Sequence, residues 1–502
     1  MVRALMWKEW REYRWKLAVL GILLPAAVVL IRLALGMRDP EAFYVAQFGL
    51  GFMALVLPLF VAVETVAGER ASGGRGTWGT LAALPVHAGA ACAVKLFWGL
   101  VTLYVPLVTA ALLAERLFMG GTRVEPGMDI RWLSVAGLCG AYYLWTVVLG
   151  VRCATELGVV VRGLCFLAAT ILAAVVCDSF PTFPTAWWQY DARRYLLCAS
   201  PFSFCLVSEV AKGDDLATFL VVQLIEMLWL VLIACWRFER LARGGRRERR
   251  PAVAGEARRG IILWRLRTWS PTRAMVWKAW RETRMLPVAT LGIAVVIGVI
   301  GMSGEFIRIY SRGGDWRWQG MESETLRAVA ISMVGLGFIL AVAIGAVLTC
   351  ADLQPKVEGF WRSRPIHAGQ YYWNKYLMGL LVVLVSISVP WMALFYLDRY
   401  DVDAKAISFF VVALAGVVLV YTAVACIGCV LRRFVIVCLV GVAVALGLML
   451  LEAVLMFYCG EKGVAVSVVA WCSTPALLVL AAGLAKFGER AWVGNWKLEM
   501  GG

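Results

Sequence analysis

A chain of 502 residues that is 62% hydrophobic and only 16% charged has too little polar surface to cover a water-soluble globule of its size. The formal net charge of +16 sits on this apolar background. Together they exclude a soluble enzyme and point to a multi-span membrane protein with basic loops.

Apolar runs of about 16 to 25 residues recur along the chain, each long enough to cross a hydrocarbon core of roughly 30 Å as a helix. In the first half they fall at 17–35, 48–63, 96–114, 132–151, 163–177 and 216–235. In the second half they fall at 286–304, 328–348, 376–397, 407–431, 434–456 and 464–485. The expected fold is an all-α polytopic membrane protein with about 12 transmembrane helices in two six-helix repeats, each preceded by an interfacial amphipathic helix. The first half occupies 1–236, a basic linker 237–273 and the second half 274–502. The first apolar run is read as a retained span, because it is too long for a signal-peptide core and no small-residue cleavage motif is evident.

Counting Lys and Arg loop by loop puts most of the basic residues on the side that holds both termini, which makes that side cytoplasmic. The linker alone carries twelve Arg against Glu239, Glu248 and Glu256, or +9 of the net charge. It reads as a topological anchor and a face for anionic membrane lipid. No nucleic-acid fold surrounds these cations, so no nucleic-acid partner is expected. The long outer connection 178–215, with Trp187 and Trp188, reads as an aromatic interface belt or as a lid.

The chain restarts in its middle. Trp7-Lys8-Glu9-Trp10-Arg11-Glu12-Tyr13-Arg14 is restated as Trp277-Lys278-Ala279-Trp280-Arg281-Glu282-Thr283-Arg284. At helical spacing Met6, Trp10, Tyr13 and Leu17 form one stripe, with Lys8, Arg11 and Glu12 on another; the second copy sets Lys278, Arg281 and Glu282 opposite Val276, Trp280 and Thr283. Such a helix is expected to lie at headgroup depth and then turn into the first span. A second echo follows the second span of each half. Pro85-Val86-His87-Ala88-Gly89 precedes Lys95 and Gly99, and Pro365-Ile366-His367-Ala368-Gly369 precedes Lys375 and Gly379, in identical register.

His87 and His367 are the only histidines, and neither has an acidic or thiol partner in register, so a duplicated structural loop explains them better than a catalytic or metal site. The fourteen cysteines lie mostly inside apolar runs and imply no disulfide framework; Cys426 and Cys429 read as small packing residues. Gln223 and Glu226 stand near the middle of the sixth run, where a carboxylate is costly. They fit either a substrate path or a hydrogen-bonded contact between helices.

A second span ending in Glu69, then Gly76-Thr77, Leu84-Pro85 nine residues after the Gly, and Lys95 opening the third span resemble the membrane subunits of type-2 ABC transporters. The second half resembles them less. Glu358, Trp361 and Pro365 keep the outline, but the Gly-to-Pro interval is three residues shorter and the Thr is missing. The resemblance implies that these loops form coupling helices seated on a separate ATP-binding subunit, present in two copies, with the opening helices packed beside them. It implies two fused permease halves, an exporter in the cell membrane (the inner membrane where there are two), and no ATPase or other enzyme activity in this chain. No G-x-x-x-x-G-K-[ST] phosphate loop occurs, so ATP belongs on the partner and this chain binds no cofactor. The runner-up is an ion-coupled transporter of the two-times-six-helix type. An integral-membrane transferase is a third class, but its clustered acid–base residues are missing.

Overall fold

The computed structural model describes ten long helices, the short helix Gly158–Leu167, and the single positions His87, Val151, Cys153, Ala169, Val276, Trp280, Val288, Gly292 and His367. The long helices are α1 (Val2–Leu35), α2 (Pro40–Ala71), α3 (Ala88–Met119), α4 (Pro126–Gly150), α5 (Asp215–Gly244), α6 (Ser323–Cys350), α7 (Ala368–Leu397), α8 (Ala404–Leu431), α9 (Phe434–Glu461) and α10 (Val466–Leu498). Among the described residues there is no strand. Five stretches are long and apolar enough to cross a membrane: Leu5–Leu33, Gly49–Val66, Ala88–Phe118, Ala368–Val389 and Phe410–Leu431. The described residues are therefore all-helical apart from short connections, with several helices that could span a membrane, in keeping with the composition.

Ten of the expected runs overlap these long helices. The run at 163–177 is described only at its start, within Gly158–Leu167 and at Ala169, and that at 286–304 only at Val288 and Gly292. The start of the expected linker is helical, since α5 runs on through Arg237 and Arg240 to Gly244.

The chain divides into two compact units. One comprises Met1–Phe238, Ile293–Val329 and Leu446–Lys462; the other comprises Glu239–Gly292, Ala330–Ala445 and Gly463–Gly502. In the first unit α1 packs along α3, and α2 packs on α4 and α3. The buried side of α1 reads Leu5, Glu9, Tyr13, Lys16, Leu20, Leu24, Val28 and Ile31, a repeat of three and four residues, while Trp7, Trp15, Ile22, Leu30 and Leu33 are exposed. In the second unit α8 packs along α10, and α7 contacts both. On α7 the residues Leu377, Leu381, Val385, Val389 and Met392 are exposed in one row, the face a helix turns to lipid.

Lipid is as apolar as leucine, so burying one leucine against another gains little hydrophobic free energy here; close packing and hydrogen bonds hold such helices together. The small residues stand where that argument needs them. Between α3 and α4 the contact is reciprocal: a Cβ at Gly99 would overlap the Tyr143 hydroxyl, and one at Gly140 would overlap the Tyr104 hydroxyl. In the second unit a Cβ at Gly379 would overlap Leu348 and the Tyr421 hydroxyl. Several Ser and Thr hydroxyls inside the apolar helices are satisfied along their own helix. Thr65, Thr146, Thr349, Ser386 and Thr422 each donate to the carbonyl four residues back.

The opening stretch corrects the sequence expectation. It is not a separate interfacial helix that turns into a span, because α1 runs unbroken through all 34 residues. At 1.5 Å per residue that is about 51 Å, longer than a hydrocarbon core of about 30 Å. Neither Gly nor Pro stands between Val2 and Leu20 to break it. Tyr13, Lys16 and Leu20 continue one buried face across the expected turn.

Candidate functional site

Two groups of side chains stand out, one in each unit, each forming a base beside the start of the helix, α3 or α7, that follows His87 or His367. In the first unit this base is a junction of α1, α2, α3 and α4. Lys95 and Glu9, both fully buried, pair across α3 and α1, with Lys95 Nζ 3.3 Å from each carboxylate oxygen. Lys8 approaches the same carboxylate at 3.7 Å and Glu12 at 3.8 Å. Leu5, Ala91 and Val94, flanked by Met6 and Trp98, seal this pair in an apolar cluster. Two charges drawn out of water need such a partner, because an isolated buried charge costs several kcal/mol.

Two turns further along α1, Lys16 forms an ion pair with Glu64 of α2 and lies 4.2 Å from the Tyr13 ring centroid. Beside it Thr65 joins three helices. Its single hydroxyl hydrogen goes to the Val61 carbonyl at 2.9 Å, so the phenols of Tyr13, at 3.3 Å, and Tyr143, at 3.0 Å, donate into its lone pairs. Farther round, the C-terminal carbonyls of α4 are capped by two guanidinium groups. Arg237 donates to Val148 O at 2.7 Å and Arg162 to Leu149 O at 3.0 Å, which places positive charge at the negative end of the helix dipole.

The base of the second unit uses the same register differently. Lys375 is buried and donates to Leu348 O, near the end of α6, at 2.9 Å, with its Nζ 5.5 Å from the Tyr371 ring. Tyr421 donates to Tyr376 O at 2.8 Å, and Tyr376 donates to Thr422 Oγ1 at 2.8 Å, the Thr422 hydrogen being used on Val418 O. Trp492 stacks on Tyr371 at 5.9 Å and lies 6.2 Å from Tyr372. Gly488 allows this approach, since a Cβ there would meet the Tyr372 hydroxyl at 2.6 Å and the Cys426 Cα at 3.4 Å.

Of the residues expected at an ATPase-facing surface, Glu69 falls on the last turn of α2, with its side chain outside the described residues. Gly76, Thr77, Leu84, Pro85, Glu358, Trp361 and Pro365 lie outside the described residues, as do Lys278, Arg281 and Glu282. Trp280 is helical and exposed. On α1 the residues Lys8, Arg11 and Glu12 share a side, with Arg11 and Glu12 exposed. Trp10 is half-buried against Trp98 at 5.1 Å. His87 and His367 occupy the same exposed place just before a helix, where their carbonyls accept the first helical hydrogen bonds, from Ala91 at 3.2 Å and Tyr371 at 3.0 Å.

Glu226 faces into the first unit and accepts a hydrogen bond from Trp145 Nε1 at 2.8 Å, joining α5 to α4. Gln223 is buried on the same side, while Leu224, Ile225, Leu228, Trp229 and Leu232 are exposed on the other.

Glu9, Lys16, Glu64 and Thr65 carry the first base, and sequence reading did not select them. The expected stripe of Met6, Trp10, Tyr13 and Leu17 shares Tyr13 with the buried face and otherwise lies one position beside it. The signal available was the apolar frame Leu5, Tyr13, Leu20 and Leu24, whose three-and-four spacing encloses Glu9 and Lys16.

No protein-family model matches this chain, and no curated protein matches it.

Proposed function

We propose that the protein is the membrane-spanning subunit of an ATP-driven transporter of the type-2 ABC class, with two six-span halves fused in one chain and about 12 spans in all. Both termini face the cytoplasm, the site is the cell membrane, and the direction is export. ATP is bound by a separate subunit, present in two copies, which docks on the segments that contain Glu69, Gly76, Thr77, Leu84 and Pro85 in the first half and Glu358, Trp361 and Pro365 in the second.

One observation carries the reading. Each of the two echoed loops runs straight into a helix whose first turns hold a buried lysine, Lys95 or Lys375, and then a glycine, Gly99 or Gly379, set against a tyrosine of another helix, Tyr143 or Tyr421. Force applied to a loop would pass directly into a helix locked to its neighbours, which is what conversion of nucleotide-driven closure into helix movement requires. The Glu9–Lys95 pair would make α1 move with α3. The unbroken α1 departs from the family outline.

The test is purification of the full chain under mild conditions with its associated proteins. Recovery of an ATP-binding subunit, and loss of substrate-stimulated ATP hydrolysis on replacing Pro85 and Pro365 by Gly, are the expected results. Transport by the isolated chain on an ion gradient alone, with no ATPase bound, would overturn the proposal.

A further inference from the structure

Two thiols on different helices meet in the first unit. Cys92 lies one turn into α3 and is fully buried, while Cys235 lies in the last third of α5 and is half-buried. Their side chains are hydrogen-bonded to each other, so the two sulfurs are in contact, and neither belongs to a disulfide.

Both helices are anchored around this contact. On either side of Cys235, α5 is tied to α4: Glu226 accepts from Trp145 Nε1 at 2.8 Å, and Arg237 donates to Val148 O at 2.7 Å. On α3, one turn beyond Cys92, Lys95 is paired with Glu9. A disulfide forms only where the fold already brings two sulfurs together, since its bonded length is about 2.05 Å and its dihedral is restricted. Exposure then sets the order of the chemistry. Thiol oxidation selects the sulfur that the oxidant can reach, so the half-buried Cys235 reacts first and Cys92, 0% exposed, second.

We infer that Cys92 and Cys235 are a reversible modification site, which a hydroperoxide converts into a disulfide between α3 and α5. The Cys235 sulfur takes one oxygen from the peroxide as the O–O bond breaks, and the rest of the peroxide leaves as water or an alcohol. The Cys92 sulfur then displaces that oxygen as water, and the S–S bond forms. Two electrons pass from the thiols to the peroxide, and both thiol hydrogens leave in the products. A dithiol reductant restores the pair by exchange. If α3 receives force from the first loop, as proposed above, the bond holds that helix against α5; formation of the bond does not rest on that reading.

The test exposes the full chain in detergent to hydrogen peroxide, blocks the remaining thiols with N-ethylmaleimide and maps the unreduced peptides by mass. A pair joining Cys92 to Cys235 is expected, two hydrogen masses below the sum of the separate peptides and lost when dithiothreitol is added before digestion. Cys92→Ala should stop at a Cys235 sulfenic acid that dimedone captures, and Cys235→Ala should leave Cys92 reduced at the same dose. In the unmodified chain, absence of the linked pair at a dose that oxidises the exposed Cys472 would overturn the assignment. So would capture of Cys92 by dimedone while Cys235 stays reduced.

Discussion

Glu9 and Lys95, 86 residues apart in the chain, meet inside the first unit at 3.3 Å with both side chains almost wholly out of contact with the surroundings. This pair fixes the start of α1 to the start of α3. Removing one partner strands the other charge, so Glu9→Ala should lower stability by about 3–5 kcal/mol. Glu9→Leu combined with Lys95→Met should recover most of that loss, because two apolar side chains leave no buried charge. Apparent melting temperatures of the single and double variants in detergent decide it; an additive loss in the double variant would deny the coupling.

The glycine contacts make a sharper prediction, because they name the obstructing atom. Gly99→Ala should cost about 1–3 kcal/mol by overpacking against Tyr143, and Tyr143→Phe should relieve only part of it, because a ring carbon would still lie 2.7 Å from the new Cβ. Gly379→Ala should be relieved less by Tyr421→Phe, since Leu348 obstructs the same space. Thermal denaturation of the four variants distinguishes the two cases.

Glu226 separates a structural role from a transport role. Glu226→Gln keeps an acceptor for the Trp145 N–H and should leave stability near that of the parent, whereas Glu226→Leu orphans the indole and should cost about 1–3 kcal/mol. A drop in transport with Glu226→Gln, at unchanged melting temperature, would show that the carboxylate also meets substrate.

Near the end of α10 a pH response is expected. Glu489 accepts a hydrogen bond from Lys486 at 2.5 Å, and that bond holds its carboxyl below the usual glutamate value. A depressed folded value contributes stability above the unfolded value of about 4.3, lost as pH falls through the folded one. Glu489→Gln should therefore flatten the acid limb of the stability profile below about pH 5, with no change near neutrality beyond that of a surface ion pair. An unchanged acid limb would refute the assignment.

Much of the fold was legible before any coordinates. Hydropathy alone placed most of the helices, because a backbone in lipid must satisfy its own hydrogen bonds and an apolar run of span length has only one way to do so. Spacing alone singled out Lys95, Gly99, Lys375 and Gly379, since identical register in two distant stretches is visible in a string of letters. What a string cannot hold is which side of a helix meets a neighbour. The turn expected after Arg14 is missing because Tyr13, Lys16 and Leu20 find partners on one continuous face. Lys16 met Glu64, and Thr65 collected two phenols, through contacts between residues 48 to 78 positions apart. Composition and register thus determined that the chain is a bundle of spans with a repeated lysine and glycine. Only the tertiary packing decided that the first lysine faces the Glu9 carboxylate and the second the Leu348 carbonyl. Ion pairs and close helix approaches depend on side-chain direction in three dimensions, and one-dimensional order leaves that free.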